Sequence, residues 1–305
     1  MSPEEEMKTT TLPRPMAVQR SQWARRLRWR WPSYLLRVVV FLLAIAGAAV
    51  MLLPLAWLVS SSLKPDDQLF VYPPVWIPRY LNWPNYVNAW NYAPFAMYLT
   101  NTLIITVFSL IGTLISSSLV AYGFARGQFP GRDLLFGILL STMMLPGIVT
   151  LIPLFLIFKA LNWINTFLPL IVPSYFATPF YVFLLRQFFL GLPRDLDDAA
   201  YVDGASTLQV LVQVILPLAK PALASVAIFS VTFHWNDFLA PLIYLNDQSM
   251  YTLALGLYSF LSEHTAQWGY LMAASTLMIL PMVVLFFFAQ RTFIQGIVTS
   301  GFGGR

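Results

Sequence analysis

Apolar residues in this chain fall in long runs with few charged residues between them. A run of about 20 apolar residues is long enough to cross a bilayer as a helix. From the positions of the charged residues we predict six transmembrane helices, at residues 38–62, 98–122, 134–158, 162–185, 218–245 and 266–290. The pattern therefore predicts an all-α integral membrane protein with a six-span domain over residues 36–291.

The composition agrees with a membrane protein and excludes several kinds of site. The chain is 58% hydrophobic and 10% charged, whereas soluble domains carry about 25% charged residues. It has no cysteine and two histidines, so we expect neither a metal site nor a cysteine nucleophile. The formal charge of +5 lies in flanks of the spans, where membrane topology explains it. We expect contact with lipid and none with nucleic acid.

Lys and Arg in the connections predict the orientation of the spans. If the N-terminus is cytoplasmic, all 18 of these residues except Lys64, Arg79 and Lys159 lie inside. Residues 1–35 and 292–305 are therefore predicted to be cytoplasmic tails of a multi-pass protein of the cell (inner) membrane. The basic, Trp-containing N-terminal tail acts either as a positive-inside anchor or as an interfacial segment on anionic lipid.

Two connections on the predicted outer side differ in character. Residues 64–95 are rich in proline and tryptophan, and proline this dense argues against regular helix. We predict an ordered, aromatic cap there. Residues 246–268 contain Asp247 and Glu263 but no Lys or Arg, so they form either an acidic linker or an arm that reaches a soluble partner.

The predicted cytoplasmic connection between spans four and five, residues 192–217, is far longer than the roughly 2–8 residues typical of helical bundles. Pro193 suits a first helical turn, and the acidic residues after it complement a helix N-terminus. Gly204 suits a helix stop, and Ser206 with Gln209 matches a capping box that opens a second helix. We predict two short helices that meet at a sharp glycine turn and form a compact knob.

This knob has two interpretations. Its small residues Ala199, Ala200 and Ala205 would let another protein approach the backbone closely, which favours docking. Alternatively, the connection packs beneath its own bundle.

Residues Asp198 to Ala205 read DAAYVDGA and are followed by Ile215-Leu216-Pro217. They resemble the cytoplasmic signature E-A-A-x-x-D-G-A…I-x-L-P of permeases of binding-protein-dependent ABC importers, with Asp198 for the usual Glu. Residues 51–296 are similar to the carbohydrate branch, the maltose-permease (MalG-like) type. The other matching positions include Ser61 to Lys64, Asn101 to Leu103, Ala121 to Arg126, Pro146, Asn165-Thr166, Trp235 to Phe238, Tyr251 to Leu253, and Met272 to Ala274.

The resemblance implies a type I ABC importer permease fold in which residues 192–217 form a coupling loop between helices 4 and 5. It implies as partners a second homologous permease, two cytoplasmic ATPase subunits and an extracytoplasmic sugar-binding protein. ATP and magnesium would bind to the ATPase subunits, because this chain has no G-x-x-x-x-G-K-[ST] loop. We therefore expect that this chain is not an enzyme. The residues implied in docking are Asp198, Ala199, Ala200, Tyr201, Asp203, Gly204, Ala205 and Ser206.

Three polar residues, His234, Asn236 and Asp237, lie in the outer half of the predicted fifth span. An ionisable residue within a membrane is costly and therefore a candidate for function. These residues either line a pathway or gate, or Asp237 caps and bonds neighbouring helices.

Other functions are possible from the residues alone. An ion-coupled secondary transporter would need more intramembrane charges than Asp237 supplies, and a membrane-embedded enzyme lacks a nucleophile or metal constellation. Within the ABC class, a glycerol-phosphate or polyol substrate is the alternative. We predict a permease for a sugar or oligosaccharide.

Overall fold

The computed structural model describes residues 30–261 and 267–301, with side chains for 34–261 and 267–290. Most of the predicted N-terminal tail, Glu263 and the last four residues lie outside the described ranges. The described residues divide into two compact units, and the boundary between Trp57 and Leu58 falls inside the first helix.

The structure is built from helices. They are α1 (Arg30–Ser62), α2 (Pro84–Tyr92), α3 (Phe95–Arg126), α4 (Arg132–Ser141), α5 (Gly147–Ala160), α6 (Leu168–Ile171), α7 (Pro179–Leu190), α8 (Asp195–Val202), α9 (Thr207–Leu218), α10 (Lys220–Asn236), α11 (Leu239–Tyr244), α12 (Leu253–Gly256) and α13 (Trp268–Gly301). Short 3₁₀ turns occupy Asp66–Gln68, Thr142–Met144, Val172–Phe176, Gln248–Met250 and Leu257–Phe260.

Four helical stretches of the described residues are long and apolar enough to cross a membrane: Tyr34–Ser62, Phe95–Arg126, Leu168–Leu190 and Trp268–Gln290. Two further pairs pass the same criteria but are sharply bent. Arg132–Met144 and Gly147–Ala160 meet at 99°, and α9 and α10 meet at 82°. The described part of the chain thus supplies four spans, or up to six if each bent pair is one span.

The third predicted span, 134–158, is divided between two helices, α4 and α5. The chain leaves helical geometry at Leu145 and Pro146, whose ψ angles are 119° and 131°. Proline crowds the residue before it and pushes that residue out of the α region, so the helix ends there and a new one starts at Gly147.

The bounds of spans four and five are also corrected. The fourth helical stretch starts at Leu168 rather than 162, is interrupted at Ala177 (φ 57°) and continues to Leu190. The fifth was predicted as one helix over 218–245, but α10 ends at Asn236. Asp237 is extended, and its Oδ1 accepts the backbone N–H of Ala240 at 3.3 Å, which caps the separate helix α11.

On the predicted outer side, the expectation of no regular helix over 64–95 is wrong for α2. Pro84 occupies its first turn, where a missing N–H costs nothing. In the segment after α11, Leu253 to Gly256 are buried, so this part of residues 246–268 folds onto the bundle. At the chain's end, α13 continues past the predicted limit of 290 to Gly301.

Helix α3 is the central element of the second unit. It packs against α7, α10 and the Val172–Phe176 turn, while α13 packs against α10 and α2. Small and hydroxyl residues on α3, such as Ser109, Thr113 and Ser117, are buried in these contacts. Small side chains let helices approach closely where lipid supplies no hydrophobic driving force.

The two ends of α3 lie in different apolar clusters. Its last turns contribute Ala121, Tyr122 and Ala125 to a cluster with residues of α7, α9 and α10. Its first turn contributes Phe95 and Tyr98 to a second cluster. There the Phe95 ring stacks on Phe260, with centroids 5.3 Å apart.

Two polar residues near the start of α3 hold the segment that follows α11. Asn101 Nδ2 donates to the carbonyls of Ser249 (2.8 Å) and Tyr251 (3.0 Å). The N–H of Leu253 donates to Thr102 Oγ1 at 2.8 Å. These bonds, together with the burial of Leu253, fasten residues 249–253 directly to α3.

Candidate functional site

The candidate site is the pair of short helices α8 and α9, together called the knob (Asp195–Leu218). Helix α8 starts after Pro193 with three acidic residues in its first turn, at 195, 197 and 198. Negative charge is favourable there because the N–H groups of the first turn point outward. The N–H groups of Asp197 and Asp198 donate to the carbonyl of Arg194, at 2.9 and 3.1 Å.

The turn after α8 requires glycine. Gly204 has φ 84°, a left-handed conformation that costs other residues about 1–2 kcal/mol. Its N–H donates to the carbonyl of Tyr201 (3.0 Å), and the N–H of Ala205 donates to that of Ala200 (2.9 Å). This pair of bonds is a Schellman motif, which satisfies carbonyls at the helix end.

The capping box predicted at the start of α9 is present. Ser206 N–H donates to Gln209 Oε1 at 2.7 Å, and Gln209 N–H donates to Ser206 Oγ at 3.4 Å. The helix then widens into a π-helix over Val210–Ile215 before Leu216–Leu218 closes it. Val210, Leu211 and Ile215 are buried in the cluster around the last turns of α3.

The structure brings all eight predicted docking residues onto this knob. Six of them are exposed: Asp198, Ala199, Tyr201, Asp203, Gly204 and Ser206. Ala200 and Ala205 are half-buried and pack against the same cluster. The knob therefore has one face on the bundle and one, centred on the glycine turn, open in this chain.

Sequence reasoning missed a buried ion pair at the base of the knob. Arg126, the last residue of α3, places Nε 2.8 Å from Asp197 Oδ2, and the two side chains are 7% and 9% exposed. Burial raises the pKa of Asp197, and the positive charge of Arg126 offsets this only in part. Helical spacing was the available signal, because Asp195 and Asp198 share one face of α8 and Asp197 points elsewhere.

The residues proposed for a pathway do not all meet. His234 and Asp237 line one cavity of about 370 Å³ with Ser174, Tyr181 and Tyr244. His234 Nε2 lies 3.2 Å from Ser174 Oγ, and Nδ1 lies 2.8 Å from the carbonyl of Ser230. The cavity thus combines hydroxyl, imidazole and carboxylate groups with apolar walls.

Asn236 lies apart from that cavity. Its side chain is exposed and donates to the carbonyl of Thr232 at 2.8 Å, a bond within its own helix. Across residues 30–261 and 267–301, no group of three or more His, Asp or Glu side chains is placed to hold a metal ion.

Residues 114–299, which include the knob, match the family described as the inner membrane component of binding-protein-dependent transport systems. The chain belongs to this family. Its members are permease components of ABC transporters, so the chain is a membrane-spanning transport subunit of an ABC importer, in which ATP hydrolysis is the task of separate subunits.

Two curated relatives illustrate the range of this family. The arabinooligosaccharides transport system permease protein AraQ of Bacillus subtilis (strain 168) is 34% identical over 271 residues, 88% of this chain and 96% of the relative. The sn-glycerol-3-phosphate transport system permease protein UgpE of Yersinia enterocolitica is 32% identical over 273 residues, 87% of this chain and 97% of the relative.

A solved structure shares the fold of this permease. A chain from the crystal structure of a bacterial ABC transporter involved in the import of the acidic polysaccharide alginate superposes with a TM-score of 0.77. The match covers 86% of this permease and 98% of that chain, at 22% sequence identity. The helical arrangement described above is therefore that of an ABC importer permease.

Proposed function

We propose that this permease pairs with a second, homologous permease and forms with it the translocation path for a sugar or oligosaccharide. An extracytoplasmic binding protein delivers the sugar, and two cytoplasmic ATPase subunits bind ATP and magnesium and drive transport. This chain itself binds no cofactor. The name of the relative AraQ supports an oligosaccharide, and that of UgpE supports the alternative, a glycerol-phosphate or polyol substrate handled by the same mechanism.

The exposed glycine turn at Gly204 carries the docking part of this proposal. It is bounded by a Schellman motif and a capping box, so its shape is held by local bonds. Its outer face exposes Ala199 and Gly204, beside the carboxylates of Asp198 and Asp203. Small residues allow close approach of a partner's backbone, and the carboxylates offer acceptors for its basic groups. The ATPase subunit is the proposed occupant of this face.

The proposed topology has six spans with both termini in the cytoplasm. It counts the bent pair Arg132–Met144 and Gly147–Ala160 as one span and residues 218–245 as another. The knob, as a coupling loop, then lies on the same side as the termini. The excess of Lys and Arg on that side supports this orientation.

The cavity beside α10 is proposed as this chain's share of the pathway. Sugars are recognised by aromatic faces and by polar groups that exchange hydrogen bonds with hydroxyls, and His234, Asp237, Tyr181 and Tyr244 are groups of this kind. Asn236 is a weaker candidate because its side chain is engaged within α10.

The first experiment is co-expression of this chain with its partner permease, the ATPase subunits and the binding protein. Co-purified ATPase reports docking, and ATP hydrolysis is measured with arabinotriose, maltotriose and sn-glycerol-3-phosphate in turn. Gly204→Pro is the informative variant, because proline is confined to φ near −65° and cannot adopt 84°.

We expect the wild type to retain the ATPase and to respond to an oligosaccharide, and Gly204→Pro to lose either retention or the response. If only sn-glycerol-3-phosphate stimulates ATP hydrolysis, the substrate is the alternative, a glycerol phosphate or polyol, and not a sugar. Failure of the intact chain to retain any ATPase subunit would contradict the docking face.

A further inference from the structure

One guanidinium joins the membrane helix α3 to the knob. Arg126 Nε contacts Asp197 Oδ2 in the first turn of α8, and Arg126 Nη2 donates to the carbonyl of Leu192 at 2.9 Å, in the chain that leads into α8. The last residue of α3 therefore contacts both the chain that precedes the knob and the first turn of α8.

A contribution to folding stability is a poor explanation for the burial of the Arg126–Asp197 pair. Removing two charges from water costs several kcal/mol, and apolar pairs of similar volume are often as stable or more so. Although Arg126 Nε lies 2.8 Å from Asp197 Oδ2, Arg126 Nε and Asp197 Oδ1 are both buried without a hydrogen bond among the described residues, so the pair is not fully satisfied. Arg126 follows Ala125, a buried member of the apolar cluster that also contains Phe189 and Val210, so apolar replacements of the pair are a suitable test.

The other end of α3 is also bonded to a separate segment of the chain. Asn101 and Thr102, near the first turn of α3, hold residues 249–253 by three hydrogen bonds. Between the two ends lies one helix of 32 residues, about 48 Å long at 1.5 Å per residue. It contains no proline, so a displacement at Arg126 can travel along it with little bending.

We propose that Arg126 and Asp197 are a positioning pair. The pair transmits movement of the knob along α3 to residues 249–253, which are bonded near the first turns of that helix. The proposal rests on the proposed docking of the ATPase to the knob. Apolar packing of α9 keeps the knob near α3, whereas the ion pair fixes how α8 is aligned with the end of α3, because a buried charge pair is favourable only when its geometry is good.

The test follows movement at the far end of α3 and needs no knowledge of the sugar. The chain contains no cysteine, so Ser249→Cys introduces a single thiol in it, at an exposed position beside the Asn101 contact. A bimane label on this thiol is read in the complete transporter in nanodiscs, with and without ATP, after removal of magnesium by EDTA to prevent hydrolysis.

Two variants differ in one charge on the same helical turn. Asp197→Asn removes the buried carboxylate, and Asp195→Asn removes an exposed one. We expect Asp195→Asn to keep the full ATP-dependent fluorescence change. Asp197→Asn should retain co-purified ATPase and basal hydrolysis within about two-fold, while the fluorescence change falls at least five-fold.

A third variant distinguishes loss of the alignment between the knob and α3 from loss of protein stability. Arg126→Met combined with Asp197→Leu replaces the ion pair by apolar side chains, and we expect normal assembly with the fluorescence change still lost. This variant also carries the test if Asp197→Asn fails to assemble. A full fluorescence change in either assembled variant would overturn the positioning role while leaving ATPase docking intact. If the wild type recruits no ATPase, the docking proposal fails and this inference fails with it.

Discussion

At the scale of single residues, Gly204 and Asn165 are two of the five described residues with a positive φ, a backbone conformation that most amino acids avoid. Gly204 has φ 84° and Asn165 has φ 62°. Gly204 ends α8, whereas Asn165 links the α5–α6 connection to the chain after α11. Asn165 Oδ1 accepts the N–H groups of Asn246 (3.0 Å) and Asp247 (2.9 Å). Both residues appear in the stretches that resemble carbohydrate permeases, and the structure gives each a conformational reason.

Gly204→Ala tests the glycine turn with the least change. A Cβ at Gly204 meets no atom of the described residues within 4 Å, so the cost is backbone strain of about 1–2 kcal/mol. We expect a lower thermal midpoint and less co-purified ATPase. Gly204→Asn should be milder, because asparagine tolerates this conformation.

Gly123→Ala is the matched control for Gly204→Ala. Gly123 lies inside α3 and is equally free of neighbours within 4 Å in the described chain, but its backbone is helical. Alanine there should be neutral or slightly stabilising. Equal behaviour of the two alanine variants would show that the left-handed turn contributes nothing to the knob.

Asn165→Gly and Asn165→Ala separate the side-chain bonds from the backbone. Glycine keeps the conformation but removes both accepted hydrogen bonds, at about 1 kcal/mol each. Alanine loses the bonds and adds strain of about 1–2 kcal/mol. We expect the thermal midpoint of the purified complex to fall in the order wild type, glycine, alanine. A glycine variant as stable as the wild type would contradict a role for the amide.

At the scale of elements, helices in this permease are interrupted where side chains or prolines compete with backbone bonds. Pro146 separates α4 from α5, and Asp237 ends α10 while capping α11. Close contact between helices depends instead on glycine, which has no side chain. Gly256 in α12 lies against the Tyr98 ring of α3, so closely that an added Cβ would overlap it.

Gly256→Ala should therefore push α12 away from α3. Tyr98 is fully buried, so its ring has little room to move, and overpacking of this kind costs about 1–3 kcal/mol. We expect a clear fall in the thermal midpoint. Gly137→Ala in α4 is the control, because a Cβ there meets no described atom within 4 Å. A normal midpoint for Gly256→Ala would show that Tyr98 has another rotamer available.

At the scale of the whole molecule, the second unit places two candidate regions at opposite ends of α3. The knob packs against the last turns of α3, and residues 249–253 are bonded near its first turns. If α3 crosses the membrane, these regions lie on opposite sides of it. The proposed orientation puts the knob inside the cell, on the side where we propose that the ATPase subunits bind.

Two single-cysteine variants test this orientation. Val202 in the knob is 88% exposed, and Ile77 in the chain between α1 and α2 is 83% exposed. In intact spheroplasts, a membrane-impermeant maleimide should label Ile77→Cys but not Val202→Cys. Permeabilised cells should label both. The reverse pattern in intact spheroplasts would overturn the proposed topology.

Much of the knob could be predicted from the sequence because its signals are local. Glycine at the turn and the Ser206–Gln209 capping box act within four residues of chain, and both are present in the structure. Asp237 was predicted to lie inside one helix over 218–245, although its bond to the N–H of Ala240 is equally local and a capping role had been left open for it. Whether an acidic side chain interrupts a helix depends on which N–H groups come within its reach.

The sequence by itself determined that this chain is a multi-span membrane protein with a capped helical knob, because long apolar runs and cap residues act locally. Its resemblance to a known permease signature pointed to the function. Only the tertiary structure decided that Asp197 rather than Asp198 is buried, and that Asn101, Thr102 and Asn165 fasten distant segments. Such roles depend on partners up to about 150 residues away in the chain, and a polar residue has no pattern of its own that names the carbonyl or N–H it will meet.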